Sequence, residues 1–317
     1  MKNVVRKTFC KGCAMPFGGL IHFNFSLSVM TILMLMVLGS CKKSISEDVL
    51  STDKMRVTLR VSHFEQVPFE TAMSTKADLS SVCSRITFAR YENGAKEDMV
   101  TQEVGSEGFG IFQMDLTDGA HTIVILAHNG DANPTIPTSI SSDALNIAFN
   151  NKDCRKVTDT FLFFGTITVS KDNTEFDIDL NRVTSMFRLT IDDDIPENMC
   201  AMQFEVKGVS SSLNTKTLAS GSKGGQTEVI PIQEGCKTFE IFSFPFADQS
   251  TYEITVSALD AKDRPCKILT LEDVPLTKNI ITKYHGEFFK GGCLSYQEVG
   301  FPLSIDDEWT ESTDQVF

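Results

Sequence analysis

The chain has 317 residues, of which 41% are apolar and 22% charged, and 24 are Phe; this excludes a disordered or collagen-like polypeptide and allows about two domains of ~150 residues. Residues 1–40 hold four basic side chains and no acidic one, so the remainder carries 25 basic against 42 acidic residues, a formal charge of −17. Because phosphate backbones are bound by clustered Lys and Arg, this acidic balance argues against a nucleic-acid partner.

An apolar run covers residues 26–38 and follows a basic leader. Thirteen residues are too few for a membrane-spanning helix, which needs about 20, but they fit the apolar region of a secretory signal peptide, which needs about 7–15. The sequence therefore predicts a cleaved leader over residues 1–40.

The run ends in Leu38, Gly39, Ser40 and Cys41, an order that resembles the bacterial lipobox. We expect Cys41 to become a lipidated N-terminus, carrying acyl chains such as palmitate, with residues 41–52 as a linker. The acidic pair within residues 42–48 loosely resembles the surface-export signals of Bacteroides-type lipoproteins. An ordinary signal peptide followed by an incidental Cys, or a retained anchor helix, are the alternatives, and the membrane leaflet stays open.

Cysteine usage does not define a disulfide pattern. Cys10 and Cys13 lie in the leader without a second ligand pair, so they do not indicate zinc. The mature chain keeps an even number of cysteines, for which fifteen full pairings exist, and free thiols are the simpler interpretation. These cysteines are Cys83, Cys154, Cys200, Cys236, Cys266 and Cys293.

From about residue 53 the apolar residues alternate with polar ones, which predicts β-strands. Met55, Val57, Leu59 and Val61 form one apolar face of the first strand. Turn pairs such as Asn-Gly predict hairpins. We expect one after the strand at 85–91, a second joining strands at 109–116 and 120–128, and a short helix within 141–149.

A second series of strands begins near Asn181. Two antiparallel β-sandwiches, over residues 53–180 and 181–317, fit the strand spacing better than one barrel. Residues 210–227 are predicted to be a turn-rich excursion without a packed pattern. The other predicted strands lie at 161–169, 175–180, 182–191, 202–206, 237–244, 252–258 and 267–271.

No motif indicates catalysis, a metal or a cofactor. His121 and His128 are an odd number of residues apart on one strand, so they face opposite ways and are interpreted as solvated or edge histidines. The serines at 210–212 lack the second Gly of a nucleophile elbow, and the Gly-rich stretch at 221–225 lacks the ending of a phosphate loop. The acidic triplets at 192–194 and 306–308 are interpreted as charged turns. We therefore predict a protein that is not an enzyme.

Glycan capture is the principal alternative function for a lipidated β-sandwich. Sugar faces stack on Trp and Tyr. Few such side chains are present, because the mature chain has only Trp309 and four tyrosines, Tyr91, Tyr252, Tyr284 and Tyr296. The aromatic content is almost entirely Phe, which suits buried cores.

The sequence resembles the fimbrillin superfamily of Bacteroides-type bacteria in four segments. These are residues 114–129, residues 274–289, the strand at 55–61 and Asn181-Arg182-Val183 at the junction between the two predicted domains. The lipidated minor-fimbria anchor or accessory branch is most similar, over residues 50–310; the long leader departs from it. The resemblance implies two transthyretin-like sandwiches, attachment to the outer membrane through the N-terminal lipid, and fimbrial (pilin) subunits as partners. A tip adhesin would share this fold, and a surface lipoprotein that binds glycan or a host ligand is the alternative.

Assembly by β-strand addition then has two candidate elements. The tail with Phe301, Leu303, Ile305 and Trp309 could be a donor strand, or simply the closing strand of its own domain. The strand with Met55, Val57, Leu59 and Val61 could be displaced by a partner, or could simply pair within its own domain.

Overall fold

Strands make up almost all of the regular structure. This computed structural model describes residues 53–64, 79–149, 156–249 and 251–292, and the backbone of 303–306 and 315–316. The prediction of an all-β protein is confirmed. Only one helical turn, α1 (Leu79–Val82), occurs in these ranges. No helix in the described ranges is long and apolar enough to cross a membrane.

The N-terminal half contains eight strands. They are β1 (Met55–Phe64), β2 (Arg85–Glu92), β3 (Ala95–Glu103), β4 (Ile111–Leu116), β5 (Gly119–His128), β6 (Asn146–Ala148), β7 (Thr160–Val169) and β8 (Glu175–Arg182). One layer has the order β3-β2-β5-β7 and the other has the order β8-β1-β4; β7 and β8 join them through the pairs Phe161↔Arg182 and Leu162↔Asn181. Their inward apolar side chains form a shared core.

The C-terminal half repeats this order. Its strands are β9 (Ser185–Ile191), β10 (Met199–Lys207), β11 (Ser212–Asn214), β12 (Ala219–Ser220), β13 (Gly225–Pro231), β14 (Thr238–Ser243), β15 (Thr251–Asp260), β16 (Pro265–Pro275), β17 (Ile281–Gly286), β18 (Leu303–Asp306) and β19 (Gln315–Val316). The layer β13-β10-β15-β16 corresponds to β3-β2-β5-β7, and β14-β9-β17 corresponds to β4-β1-β8. The strands β18 and β19 extend the second layer beyond β17. A seven-strand unit is thus present twice.

The sequence predicts antiparallel sheets, whereas each half contains one parallel pair of strands. β1 runs parallel to β8, and β9 runs parallel to β17. Alternation of apolar and polar residues has the same period in both kinds of pairing, so it does not encode strand direction. In each half the opening strand lies between one parallel and one antiparallel neighbour.

The predicted hairpin of the strands at 109–116 and 120–128 is wrong. β4 pairs with β1, whereas β5 pairs with β2 and β7 in the other layer. Gly119, at a φ of 122°, lets the chain cross between layers. By contrast, β2 and β3 do form a hairpin around Asn93 and Gly94, both with positive φ.

Two further predictions are corrected in the connecting segments. Residues 141–149 are not helical, because Ser142 and Asp143 take left-handed φ values of 52° and 60° and the chain then enters β6. The excursion at 210–227 is partly packed, since β11 pairs with β6 and with β12, and Leu213 is fully buried.

These segments build a third core between the halves. Val124 and Leu126 of β5 pack on it from one half, and Leu213 and Phe244 from the other. The inner strand β5 of the N-terminal half is therefore buried on both faces. The interpretation of His121 and His128 as solvated or edge histidines is wrong, because both are buried: His128 on the face of β5 that meets the third core, and His121 on the face toward the N-terminal core.

Cysteines have mixed states. Cys83 is a buried free thiol, and burial raises its pKa to about 12. Cys200 and Cys236 are also free, whereas Cys266 is disulfide-bonded. Cys154 and Cys293 lie outside the described residues.

A buried ion pair lies at the junction of the two halves. The Arg182 guanidinium donates to both carboxylate oxygens of Asp159, at 2.9 and 3.0 Å, and to the side-chain oxygen of Asn279 at 3.1 Å. The Thr184 hydroxyl donates to the same carboxylate at 3.1 Å, and Phe161 lies under the guanidinium at 4.7 Å. Burial lowers the pKa of Arg182, against the opposing effect of Asp159.

Replacing Arg182 should strongly destabilise the fold. Arg182→Ala leaves the Asp159 carboxylate buried without its main partner, which typically costs about 3–5 kcal/mol. Arg56→Ala is the control, because the Arg56 side chain is 61% exposed in its ion pair and such pairs contribute up to about 1 kcal/mol. Urea unfolding measures both, and similar losses for the two variants would contradict a special role for Arg182.

Stability should fall in acid through His128. Its Nδ1 accepts a hydrogen bond from the Gly130 N–H, and burial, with a contribution from Arg85, lowers its pKa to about 4. The neutral ring is favoured in the folded state, so its stabilisation is complete above the ordinary value of about 6.5 and is lost as pH falls through 4. Between pH 7 and 4.5 the parent should lose about 2 kcal/mol more than His128→Gln.

Urea unfolding at both pH values checks this. Equal acid losses in the parent and in His128→Gln would show that His128 is not the responsible group.

Candidate strand-exchange site

The opening strand β1 is held on both sides. It pairs antiparallel with β4 from Met55↔Leu116 to Arg60↔Ile111, and parallel with β8 from Thr58↔Glu175 onward. The parallel ladder shifts register between Val61 and His63. In the isolated sandwich β1 is therefore a central strand of its layer.

One face of β1 is anchored in the N-terminal core. Val57 and Leu59 are fully buried, while Met55 and Val61 are partly buried against the same cluster. At about 1.5–3 kcal/mol for each fully buried side chain, Val57 and Leu59 together contribute roughly 3–6 kcal/mol. Removing β1 would leave a groove between β4 and β8 floored by this apolar core.

The other face carries ion pairs. Arg60 contacts Glu175 at 2.9 Å and Arg56 contacts Asp115 at 3.4 Å. The hydrogen bond from Arg60 lowers the pKa of Glu175. Because these groups are exposed, the pairs contribute little net free energy. β1 is held by apolar burial and two backbone ladders.

The tail strand lies at the other end of the chain. The backbone of β18 pairs antiparallel with β17, from Ile281↔Asp306 to Tyr284↔Leu303, which places Leu303 and Ile305 in the sheet of the C-terminal half. Phe301 and Trp309 lie outside the described residues. The lipobox, Leu38, Gly39, Ser40 and Cys41, lies outside them as well.

The structure thus brings the two candidate elements to different sheets. β1 belongs to the layer β8-β1-β4, and β18 to the layer that begins at β14. The sequence did not reveal that Arg60 and Glu175 would meet, because their contact requires the parallel register of β1 and β8. No local pattern carries that register.

The acidic triplet at 192–194 has structural partners. Asp193 accepts hydrogen bonds from the N–H groups of Phe288 and Phe289 at 2.9 and 2.7 Å. Asp192 contacts His285 and Asp194 contacts Lys237, each at 3.0 Å. Across the described ranges, no group of three or more His, Cys, Asp or Glu is arranged to hold a metal ion.

The described tyrosines do not form a sugar-stacking platform. Tyr91 is buried and donates its hydroxyl hydrogen bond to the Pro137 carbonyl at 2.6 Å. Tyr252 and Tyr284 are buried in the C-terminal core. Tyr296 and Trp309 lie outside the described residues.

The sequence matches the family described as fimbrillin-A associated anchor proteins Mfa1 and Mfa2 over residues 50–305. The chain belongs to this family, and the predicted resemblance to fimbrillins is confirmed. The protein is thus a fimbria-associated structural protein of the cell surface, in a family that associates with fimbrial subunits.

Solved structures with a similar arrangement include two fimbrial proteins. One is a fimbrial assembly protein from Parabacteroides distasonis, with 11% identity and a TM-score of 0.42, covering 83% of this chain and 98% of that one. The other is the tip fimbrial protein Mfa3 from Porphyromonas gingivalis with C-terminal truncation, with 8% identity and a TM-score of 0.37, covering 78% and 99%. Among curated proteins, none matches significantly.

Proposed function

We propose that the protein is an outer-membrane lipoprotein that acts as an anchor or accessory subunit of a fimbria and joins pilin subunits by β-strand addition. The family match over residues 50–305 is the observation that carries this proposal. The division into sandwiches at 53–180 and 181–317, following a lipidated linker at 41–52, is part of it.

Lipidation at Cys41 supplies the anchor. Several acyl chains, each contributing about 0.8 kcal/mol per buried CH₂, hold a protein at a membrane far more stably than one chain does. An anchor subunit must resist the pull of the structure attached to it, so a permanent lipid attachment suits the role. Display on the cell surface would then bring the sandwiches within reach of pilin subunits.

Strand addition supplies the joint to the next subunit. A donor strand that replaces β1 would recover both backbone ladders and refill the sites of Val57 and Leu59. If the tail is the donor, β18 must first leave the edge of β17. Either exchange gives a long-lived joint, because breaking it requires both ladders and the apolar contacts to be lost together.

Replacing Cys41 should release the protein from the membrane. Cys41→Ser removes the thiol that accepts lipid, so radiolabelled palmitate should not be incorporated, and the protein should no longer fractionate with outer membranes. Cys200→Ser is the matched control, since Cys200 is an exposed free thiol. Undiminished palmitate labelling of Cys41→Ser would show that Cys41 is not lipidated.

Disulfide locks can test which strand exchanges. Arg56→Cys with Asp115→Cys joins directly paired residues of β1 and β4. Thr190→Cys with Thr238→Cys joins the corresponding strands β9 and β14 and serves as the control. Lys283→Cys with Ser304→Cys joins β17 to the tail strand β18. All are made with Cys200→Ser and Cys236→Ser to prevent mispairing.

The readout is recovery of fimbrial subunits with the lipoprotein from outer membranes in mild detergent and high salt, identified by mass spectrometry. We expect oxidation to abolish recovery in the variant whose strand must move, reduction to restore it, and the control lock to have no effect. Recovery with both the β1 and tail locks closed would refute exchange at either element. Absence of any fimbrial subunit, or recovery with a glycan importer, would refute the anchor function itself and favour nutrient capture.

A further inference from the structure

The N-terminal half has an open side between its two outer strands. Among the described strands, β3 pairs only with β2, and β4 only with β1. One end of the outer side of β3 is occupied, because Ala95 bridges Ser139 and the Lys96 N–H donates to the Thr138 carbonyl at 2.7 Å. Beyond that end, the outer edges of β3 and β4 have no strand partner among the described residues. A cavity of about 470 Å³ lies between them. This β3–β4 groove lies on the outer side of β4, whose other side pairs with β1.

The floor of the β3–β4 groove is apolar. Phe88 and Phe112 stack at its base with ring centroids 5.4 Å apart, and Val100, which is 50% exposed, and Met114 also line it. At one end the side chain of Gln102 bridges the strands: it accepts from the Gly110 N–H at 2.7 Å and donates to the Ile111 carbonyl at 2.8 Å. The groove is thereby closed where β3 leads into β4.

The corresponding side of the C-terminal half is closed. Glu228 pairs with Phe204 across β13 and β10, as Val100 pairs with Phe88 across β3 and β2. Glu228 is buried and forms an ion pair with Lys156 at 2.5 Å, and Gln226 donates to the Phe242 carbonyl at 2.7 Å, from β13 to β14. The repeated unit therefore has a polar closure in one half and an accessible groove with an apolar floor in the other.

The chemistry of the groove selects its occupant. Two facing rows of peptide groups are satisfied by an extended polypeptide, whose own N–H and C=O groups point to both sides. Every second side chain of such a strand would point to the apolar floor. The charged side chains lie at the rim, where Arg90 pairs with Asp98 at 2.8 Å and Arg56 with Asp115 at 3.4 Å, and where Lys54 also lines the cavity.

We propose that the β3–β4 groove receives an extended segment of a fimbrial subunit, with apolar side chains at alternate positions. A strand matching the six residues of β4 would span about 20 Å. Inserted between two edges, it would bury on the order of 1,000 Å² in total, near the lower limit for a specific interface. The inference rests on the proposed fimbrial partnership, although not on displacement of β1.

Site-specific photo-crosslinking tests the occupant. In cells that assemble the fimbria, Val100 of the full-length protein is replaced by the photo-crosslinking residue p-benzoylphenylalanine. Val229 is the matched control, because it is also a valine 50% exposed on an outer strand. Illumination should give an adduct with a fimbrial subunit from position 100 and none from position 229.

Other outcomes separate the two proposals. Co-purification of fimbrial subunits without an adduct at position 100 would overturn the groove assignment and leave the anchor function standing. An adduct with a second copy of this chain, or with a protein that is not fimbrial, would overturn the assigned occupant. If no fimbrial subunit co-purifies, the anchor function fails and this inference fails with it.

A charge in the groove provides an independent test. Val100→Lys should reduce recovery of the fimbrial subunit at least tenfold, because an inserted apolar side chain would meet an ammonium group. Val229→Lys should leave recovery unchanged. Urea unfolding of both variants verifies that the fold is kept, and equal recovery with the two folded variants would overturn the proposal.

Discussion

The ion pair of Arg182 and Asp159 is the constraint on which the arrangement of the two halves depends. A charge as buried as that of Arg182 is tolerated only when its hydrogen bonds are made, and here the partners come from three places: the residue before β7, the β8–β9 junction and the turn before β17. The N–H of Asn279 also donates to the Thr184 carbonyl at 2.8 Å. Any rotation of one half against the other would break several of these bonds at once. The third core, which includes Leu213 and Phe244 against β5, adds apolar burial at the same junction.

Local sequence patterns were sufficient for the strands but not for their partners. Alternation located β1, and Asn93-Gly94 located the β2–β3 hairpin, because both signals act over a few residues. The parallel pairing of β1 with β8 joins residues more than a hundred positions apart, and no local signal encodes it. The same limit explains His128, since its burial depends on Phe149 and the rest of the third core covering the outer face of β5. The candidate strand at 55–61 could be found from sequence, whereas the β3–β4 groove could not, because it exists only once the layers are stacked.

The repeated unit shows how one fold can serve two purposes. In the C-terminal half the inward position on the outer strand β13 is the buried Glu228, which forms an ion pair with Lys156 from the segment between β6 and β7. In the N-terminal half the corresponding position is Val100, which pairs with Phe88 and is 50% exposed. Exposed outer strands are usually protected against unwanted pairing. An apolar side chain at such a place suits the strand addition proposed for the β3–β4 groove.

Energetics distinguish strand exchange at β1 from strand addition at the groove. Replacing β1 first breaks two backbone ladders and exposes Val57 and Leu59. Exchange is therefore slow unless β1 is already loosened. The incoming strand then restores similar backbone hydrogen bonds and apolar contacts. Addition at the β3–β4 groove breaks no backbone ladder, so a partner can arrive there first with only its own ordering cost to offset. A subunit held at this edge would be close to β1, because β4 is paired with β1 on its other side. Initial capture at the groove followed by exchange at β1 would therefore use neighbouring strands of one layer. With the β1 lock oxidised, the crosslinker at position 100 should still capture the subunit on illumination, although recovery in high salt without crosslinking is lost.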